Sequence, residues 1–257
     1  MSEQELVRYE VRGRVAEITM RREPVNAINL ALTQQINAAY VRARDDGQVR
    51  AIILTSDCQA AFSAGMDLEM IRGGTGQDLH RFLSELYFTM HNLQYRMGKP
   101  TIAPMTGPAR AAGVTLAVSC HILIATDQGD MSYPEIDVGV IAVIHYVHLP
   151  RQIGRHMAFE LLFGGDTISY VEAAHRGLIN HAVPHGQVLA EARKMAVKFA
   201  KKSPVVMKLG RDSFMRANDG DYRRAIKNVV KTICNIIDTE DAQKGLNAFA
   251  EKRRPNW

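Results

Sequence analysis

The 257-residue chain is poor in cysteine: Cys58, Cys120 and Cys234 lie far apart, without metal-type spacing. Such usage excludes a disulfide framework and suits a reducing compartment. No apolar run is long enough to span a bilayer, and the opening MSEQELVRYE lacks the charged-then-apolar pattern of a signal peptide. The closing Pro-Asn-Trp is not a peroxisomal address. A cytoplasmic protein with no membrane partner is expected. Glycine and proline are not in excess, no repeat stands out, and no nucleotide-fold glycine signature is present. The nine histidines do not pair at ligand spacing, and no Ser-His-Asp arrangement is suggested, so no metal site is expected.

Apolar residues are plentiful. At 46% hydrophobic, the chain can bury a large core, enough for one domain plus a helical appendage. Its net charge of +5 is spread over short clusters, Arg21–Arg22, Lys201–Lys202, Arg223–Arg224 and Lys252 to Arg254. A small phosphate-bearing ligand needs only a few such residues and is favoured over nucleic acid.

Periodicity predicts the elements. Alternation through Val7, Val11, Val15, Ile18 and Met20, with Gly13 at a turn, predicts a hairpin. Helical spacing follows over Ile28–Ala43, then a strand over Val49–Thr55, a long helix over Leu79–Met97 and a strand over Thr101–Met105. A helix over Gly113–Ser119 and strands over His121–Thr126 and Met131–Tyr133 come next. From Val147 the chain reads as successive helices, with Ser169 as an N-cap and Asp241 as a first-turn acid. Gly73, Gly74 and Gly76 mark a flexible stretch between the first half and the long helix.

Two small-residue turns carry the candidate chemistry. Phe62 to Leu68 reads FSAGMDL after an apolar strand; Gly107 to Leu116 reads GPARAAGVTL before a helix. Small residues let the backbone turn sharply and expose N–H groups. Brought together, the two turns can aim two donors at one oxygen, an oxyanion hole.

These motifs, with KPTIAPMTGPA at 99–109, YPEIDVG at 133–139, EAAHRGLIN at 172–180 and FAEKRRPNW at the end, resemble in order and spacing the crotonase, or enoyl-CoA hydratase/isomerase, superfamily. The resemblance implies an α/β fold, a spiral of β-β-α units over residues 1–197, with a C-terminal helical oligomerisation region over 198–257. It implies a homotrimer or hexamer, no permanently bound cofactor, and coenzyme A as part of a thioester substrate. Residue by residue, it makes the N–H groups of Met66 and Ala112 the oxyanion donors and Glu135 the acid/base. It places the Ala64 carbonyl on the adenine amino group, Val25 and Ala27 near the adenine and pantetheine, and Lys252 on the phosphates of a neighbouring subunit's ligand.

The chain departs from the family's hydratases twice. Where they carry a first glutamate this sequence has Thr115, which hydrogen-bonds but has no usable proton-transfer pKa near neutrality. Where they carry a Pro-Gly-Gly-rich turn it has IAVIHYVH at 141–148, so His145 or Tyr146 could face the pocket, with His145 a candidate second acid/base. Asp67 is read as an anchor of its turn through backbone hydrogen bonds. One carboxylate beside an oxyanion hole suits isomerisation of an enoyl-CoA. Hydration, decarboxylation and C–C hydrolysis are the catalytic alternatives, and RNA binding or acyl-CoA binding without turnover the non-catalytic ones.

Overall fold

The computed structural model describes residues 4–254 apart from 71, 73, 74 and 220. Strands β1 (Val7–Arg12) and β2 (Val15–Met20) form the expected hairpin, antiparallel with Arg12 opposite Val15. Helix α1 (Leu30–Asp45) is capped by Asn29, whose side chain accepts from the Leu32 N–H, and is followed by β3 (Ala51–Ser56). Helix α2 (Gly76–Leu83) opens on Thr75, in a capping box with Asp78. It runs on through a π-helical turn (Ser84–Thr89) into α3 (Met90–Tyr95). The single regular helix expected over 79–97 is thus interrupted by a wide turn. Gly76 is not part of a loose stretch: its N–H donates to Asp238 Oδ1 at 2.6 Å and a Cβ there would lie 2.2 Å from the Cys234 carbonyl oxygen. Gly73 and Gly74 lie outside the described residues.

Next come β4 (Thr101–Met105), β5 (Ala109–Arg110), α4 (Ala112–Val118), β6 (Ile122–Thr126) and β7 (Asp130–Ser132). Helices α5 (His145–Ile153) and α6 (Arg155–Gly164), β8 (Thr167–Ser169), α7 (Tyr170–His175) and β9 (His181–Val183) follow. The chain ends in α8 (Val188–Ala200), α9 (Pro204–Asp219), α10 (Tyr222–Ile237) and α11 (Glu240–Ala250). Ser169 caps α7 as expected, and Asp241 lies in the first turn of α11 behind the cap Thr239. The short strands β5, β8 and β9 have too few residues to show a period, and the expectation passed over them.

Six strands form one sheet in the order β1-β2-β3-β4-β6-β9, parallel from β2 onward, and β5-β7-β8 form a second. Strand β3 reads AIILTS because both its faces are covered. Ile52 and Leu54 join the main core; Ala51 and Ile53 face the other way, against Ala192 and Ala196 of α8. Helix α10 packs on α2, and α11 on the short helical turn Pro134–Val138. No helix among the described residues is long and apolar enough to cross a membrane.

The carboxyl ends of β3, β4 and β6 lie side by side. In a parallel sheet this is where ligands gather. The chain leaving β3 carries Met66, that leaving β4 leads through β5 to Ala112, and that leaving β6 leads through β7 to Glu135.

Candidate active site

The two small-residue turns interlock. The Phe62 N–H donates to the Pro108 carbonyl at 2.9 Å and the Arg110 N–H to the Ser63 carbonyl at 3.0 Å. Gly65 has φ +92°, and a Cβ there would lie 2.8 Å from the Arg110 carbonyl oxygen. At Gly113 a Cβ would sit 2.6 Å from the Ser63 carbonyl oxygen. Only glycine allows either approach.

The same contacts free two donors. The Gly65 carbonyl accepts from the Ile28 N–H and the Asp67 N–H donates to the Ile28 carbonyl, so Met66 between them faces away from Ile28. Ala112 is the first residue of α4, where N–H groups have no intrahelical acceptor. Among the described residues neither the Met66 nor the Ala112 N–H has a hydrogen-bond acceptor. Ala111, just before, holds φ +48°, ψ −120°, a conformation rare for a residue with a Cβ. It is held there by its N–H on the Ser132 carbonyl, 3.1 Å, and by its own carbonyl, which accepts from Val114 and Thr115.

Met66, Ala112 and Glu135 line one cavity of about 630 Å³. Its inner wall is apolar: Phe82, Leu83 and Leu86 of the long helix, Val140 and Ile141, and Ile233 of α10. Ala27 and Ala64 line its mouth, with Phe249 and Arg253 of the C-terminal region of the same chain. Asp67 also lines it; its carboxylate is held by Arg22 at 2.7 Å, and Arg22 donates as well to the Ala27 carbonyl at 2.6 Å. The turn is therefore braced by a guanidinium rather than by bonds from Asp67 to its own backbone. The guanidinium's fork ties both walls of the mouth together.

Glu135 sits in the short helical turn Pro134–Val138, with Pro134 setting its entry. The residue is partly exposed to the cavity, but its Oε2 is buried and lacks a hydrogen-bond partner. Loss of hydration pushes the carboxyl up to about 7, against a lesser opposing pull from its own backbone N–H. Such a group changes protonation near neutrality.

Thr115 and His145 do not line this cavity. Thr115 Oγ1 lies 3.1 Å from His145 Nε2, and both residues are buried. Burial holds the imidazole well below its usual range, helped by nearby His148, so it is neutral. The Tyr133 ring packs edge-on against it at 4.5 Å. Tyr146 stacks on Phe163 at 5.4 Å. Val25 is not in the cavity wall; its carbonyl accepts the Ala64 N–H at 2.9 Å. Lys252 is exposed beside Arg253, and Pro255 to Trp257 lie outside the described residues. Sequence reasoning missed Arg22, Tyr87, Ile233, Phe249 and Arg253. Only the apolar face of the long helix carried a signal, and it did not single out Tyr87.

Residues 10–257 match the family model described as enoyl-CoA hydratase/isomerase. A probable enoyl-CoA hydratase of Bacillus subtilis is 30% identical over 245 residues, 95% of each chain. The mitochondrial enoyl-CoA hydratase domain-containing protein 3 of Rattus norvegicus is 32% identical over 232 residues, 90% of this chain and 77% of the other. Among solved structures, Pseudomonas aeruginosa OdaA superposes with TM-score 0.87 at 25% identity, covering 96% of this chain and 99% of that one. A probable enoyl-CoA hydratase from Mycobacterium thermoresistibile gives 0.82 at 28%, over 91% and 97%.

Proposed function

We propose that this chain, which belongs to the enoyl-CoA hydratase/isomerase family, moves a double bond within an enoyl-CoA, using Glu135 as its single acid/base. The thioester carbonyl oxygen takes the Met66 and Ala112 N–H groups. The Glu135 carboxylate removes a proton from C2 of a 3-enoyl thioester, and the electron pair delocalises into a dienolate whose oxygen the two donors stabilise. The same carboxyl returns that proton to C4, leaving the 2-enoyl thioester. One proton moves, the double bond shifts by one position, and no water is consumed.

The observation that carries this reading is that, of the four carboxyls lining the cavity, Asp67, Glu69, Glu135 and Asp137, Glu135 is the one whose oxygen is buried without a partner and which burial pushes up to about 7, with Thr115 where the family's hydratases carry a second carboxylate to hold water. His145, on this reading, acts only through Thr115, by steadying the first turn of α4 that presents Ala112. Hydration is the second reading, favoured by the names of the Bacillus and Mycobacterium relatives.

A panel of 2-enoyl-, 3-enoyl- and 3-hydroxyacyl-CoAs, incubated in deuterated water with wild type and Glu135→Gln and followed by mass spectrometry, tests both. Isomerisation predicts interconversion of 2- and 3-enoyl species, which have equal mass and are separated by chromatography before detection, with no added mass of water, lost in Glu135→Gln. Formation of the 3-hydroxyacyl product would replace it with hydration.

A further inference from the structure

A second cavity, of about 610 Å³, shares the Tyr87 wall with the one just described. Both are walled by the same four segments, read at successive turns. The long helix gives Leu83, Leu86 and Tyr87 to the first cavity and Tyr87, Phe88 and His91 to the second. Helix α4 gives Ala112 to the first and Val118 to the second. Ile141 lines the first, and His148 on α5 the second; α10 gives Ile233 and Ile226 in turn. The two spaces therefore share these segments as walls, with Tyr87 common to both.

Along these segments, between the residues given to one cavity and those given to the other, fall Tyr87, the hydrogen-bonded Thr115 and His145, and Val230, all buried. Of these only Tyr87 faces both cavities. It belongs to the π-helical turn Ser84–Thr89, whose extra residue shifts the 3.6-residue spacing and drops this side chain onto the partition. Tyr87 itself is buried, with its ring 6.4 Å from that of His91.

We propose that Tyr87 is the stop that sets acyl-chain length in this enzyme. This rests on the acyl-CoA reading of the first cavity. With the thioester carbonyl on Met66 and Ala112, the acyl chain runs inward between Leu86, Ile141 and Ile233, and its methyl end meets the Tyr87 ring. The space beyond is closed to it; its lining is mixed, with Phe88, Val118 and Ile226 beside polar groups such as Asn92, Gln94 and Arg151. The chemistry recognised is a hydrocarbon acyl group of limited length.

The test is binding, so that it does not depend on turnover. Saturated acyl-CoAs of increasing even chain length are titrated against wild type, Tyr87→Ala, Tyr87→Leu and Tyr87→Phe, with thermal melts confirming folding. For wild type and Tyr87→Phe, affinity rises with length and then stops rising at a common break. For Tyr87→Ala the break moves to longer chains, and the long-to-short affinity ratio increases, with a ceiling of about tenfold for every two methylenes newly buried that the mixed lining beyond keeps from being reached. Tyr87→Leu moves it in the same direction by less, and carries the test if the alanine variant does not fold. An unmoved break in a folded Tyr87→Ala or Tyr87→Leu protein overturns the stop while leaving the acyl-CoA reading intact. If wild type binds no acyl-CoA, the underlying reading fails and the stop with it.

Discussion

Replacing Glu135 by glutamine should cost activity and at the same time remove a pH-dependent loss of stability. The carboxyl is at 4.5 when solvated and at about 7 in the fold, raised by burial. Between those values the folded chain holds a proton that the unfolded chain has released, so wild-type stability falls as pH rises through the window. Below 4.5 both states are protonated and above 7 both are ionised, so the difference is flat on either side. The gap corresponds to a ceiling of about 3 kcal/mol. Cavity water reaches the residue, so the measured value should fall below that ceiling.

Glutamine does not titrate, so the wild-type melting curve measured against that of Glu135→Gln isolates this one group. Melting temperatures taken from pH 4 to pH 8 should show the variant gaining on the wild type across the window, by roughly 2–4 °C per kcal/mol for a chain of this size. Over the same range kcat/KM of the wild type should rise through about pH 7, because the base must be ionised, and kcat of the variant should fall by about 10²–10⁴-fold. A melting difference that stays flat with pH would mean a carboxyl as well hydrated as in the free amino acid. A variant that keeps its turnover would remove Glu135 from the chemistry.

Three further expectations concern backbone and assembly. Ala111→Gly should raise stability by about 1 kcal/mol, because strain at its positive φ, of about 1–3 kcal/mol, outweighs the added freedom of glycine in the unfolded chain; an unchanged or lower melting temperature would refute the strain. Gly113→Ala should cost about 1–3 kcal/mol by overpacking against the Ser63 carbonyl. It should also depress kcat by displacing the Ala112 N–H, and a variant with wild-type kcat would argue against that donor. Helix α9 exposes Val205, Val206, Leu209 and Phe214 at 63–70%. Such a stripe fits self-association, so Leu209→Glu should shift a trimeric or hexameric species to monomer in sedimentation; wild type already monomeric would end that expectation.

How far the molecule could be read from its residues depends on the range of the interaction. The hairpin, α1, β4 and the helical succession after Val147 were legible because a period of two or 3.6 is written in neighbouring residues. The pairing of FSAGMDL with GPARAAGVTL was legible for a different reason. Gly65 and Gly113 stand where a Cβ would strike the opposite turn, so each stretch carries the imprint of the other. Nothing comparable marks Arg22, which reaches Asp67 across 45 residues, or His145, which spends its Nε2 on Thr115 across 30. A charged or aromatic side chain has too many possible partners for the sequence to name one.

The π-helical turn shows the limit most sharply. Leu79 to Met97 has an apolar face that an ordinary helix would satisfy, and no residue in it demands a wider turn. The wider turn sits where α1 packs on it and on α3, with α10 packed on the preceding α2, and it places Tyr87 against both cavities. Acyl selectivity, on this view, is held by a feature invisible to periodicity, while the two proposed oxyanion donors, Met66 and Ala112, sit on the turns that small residues advertise. Two chains could therefore share the oxyanion motifs residue for residue and differ in what they accept.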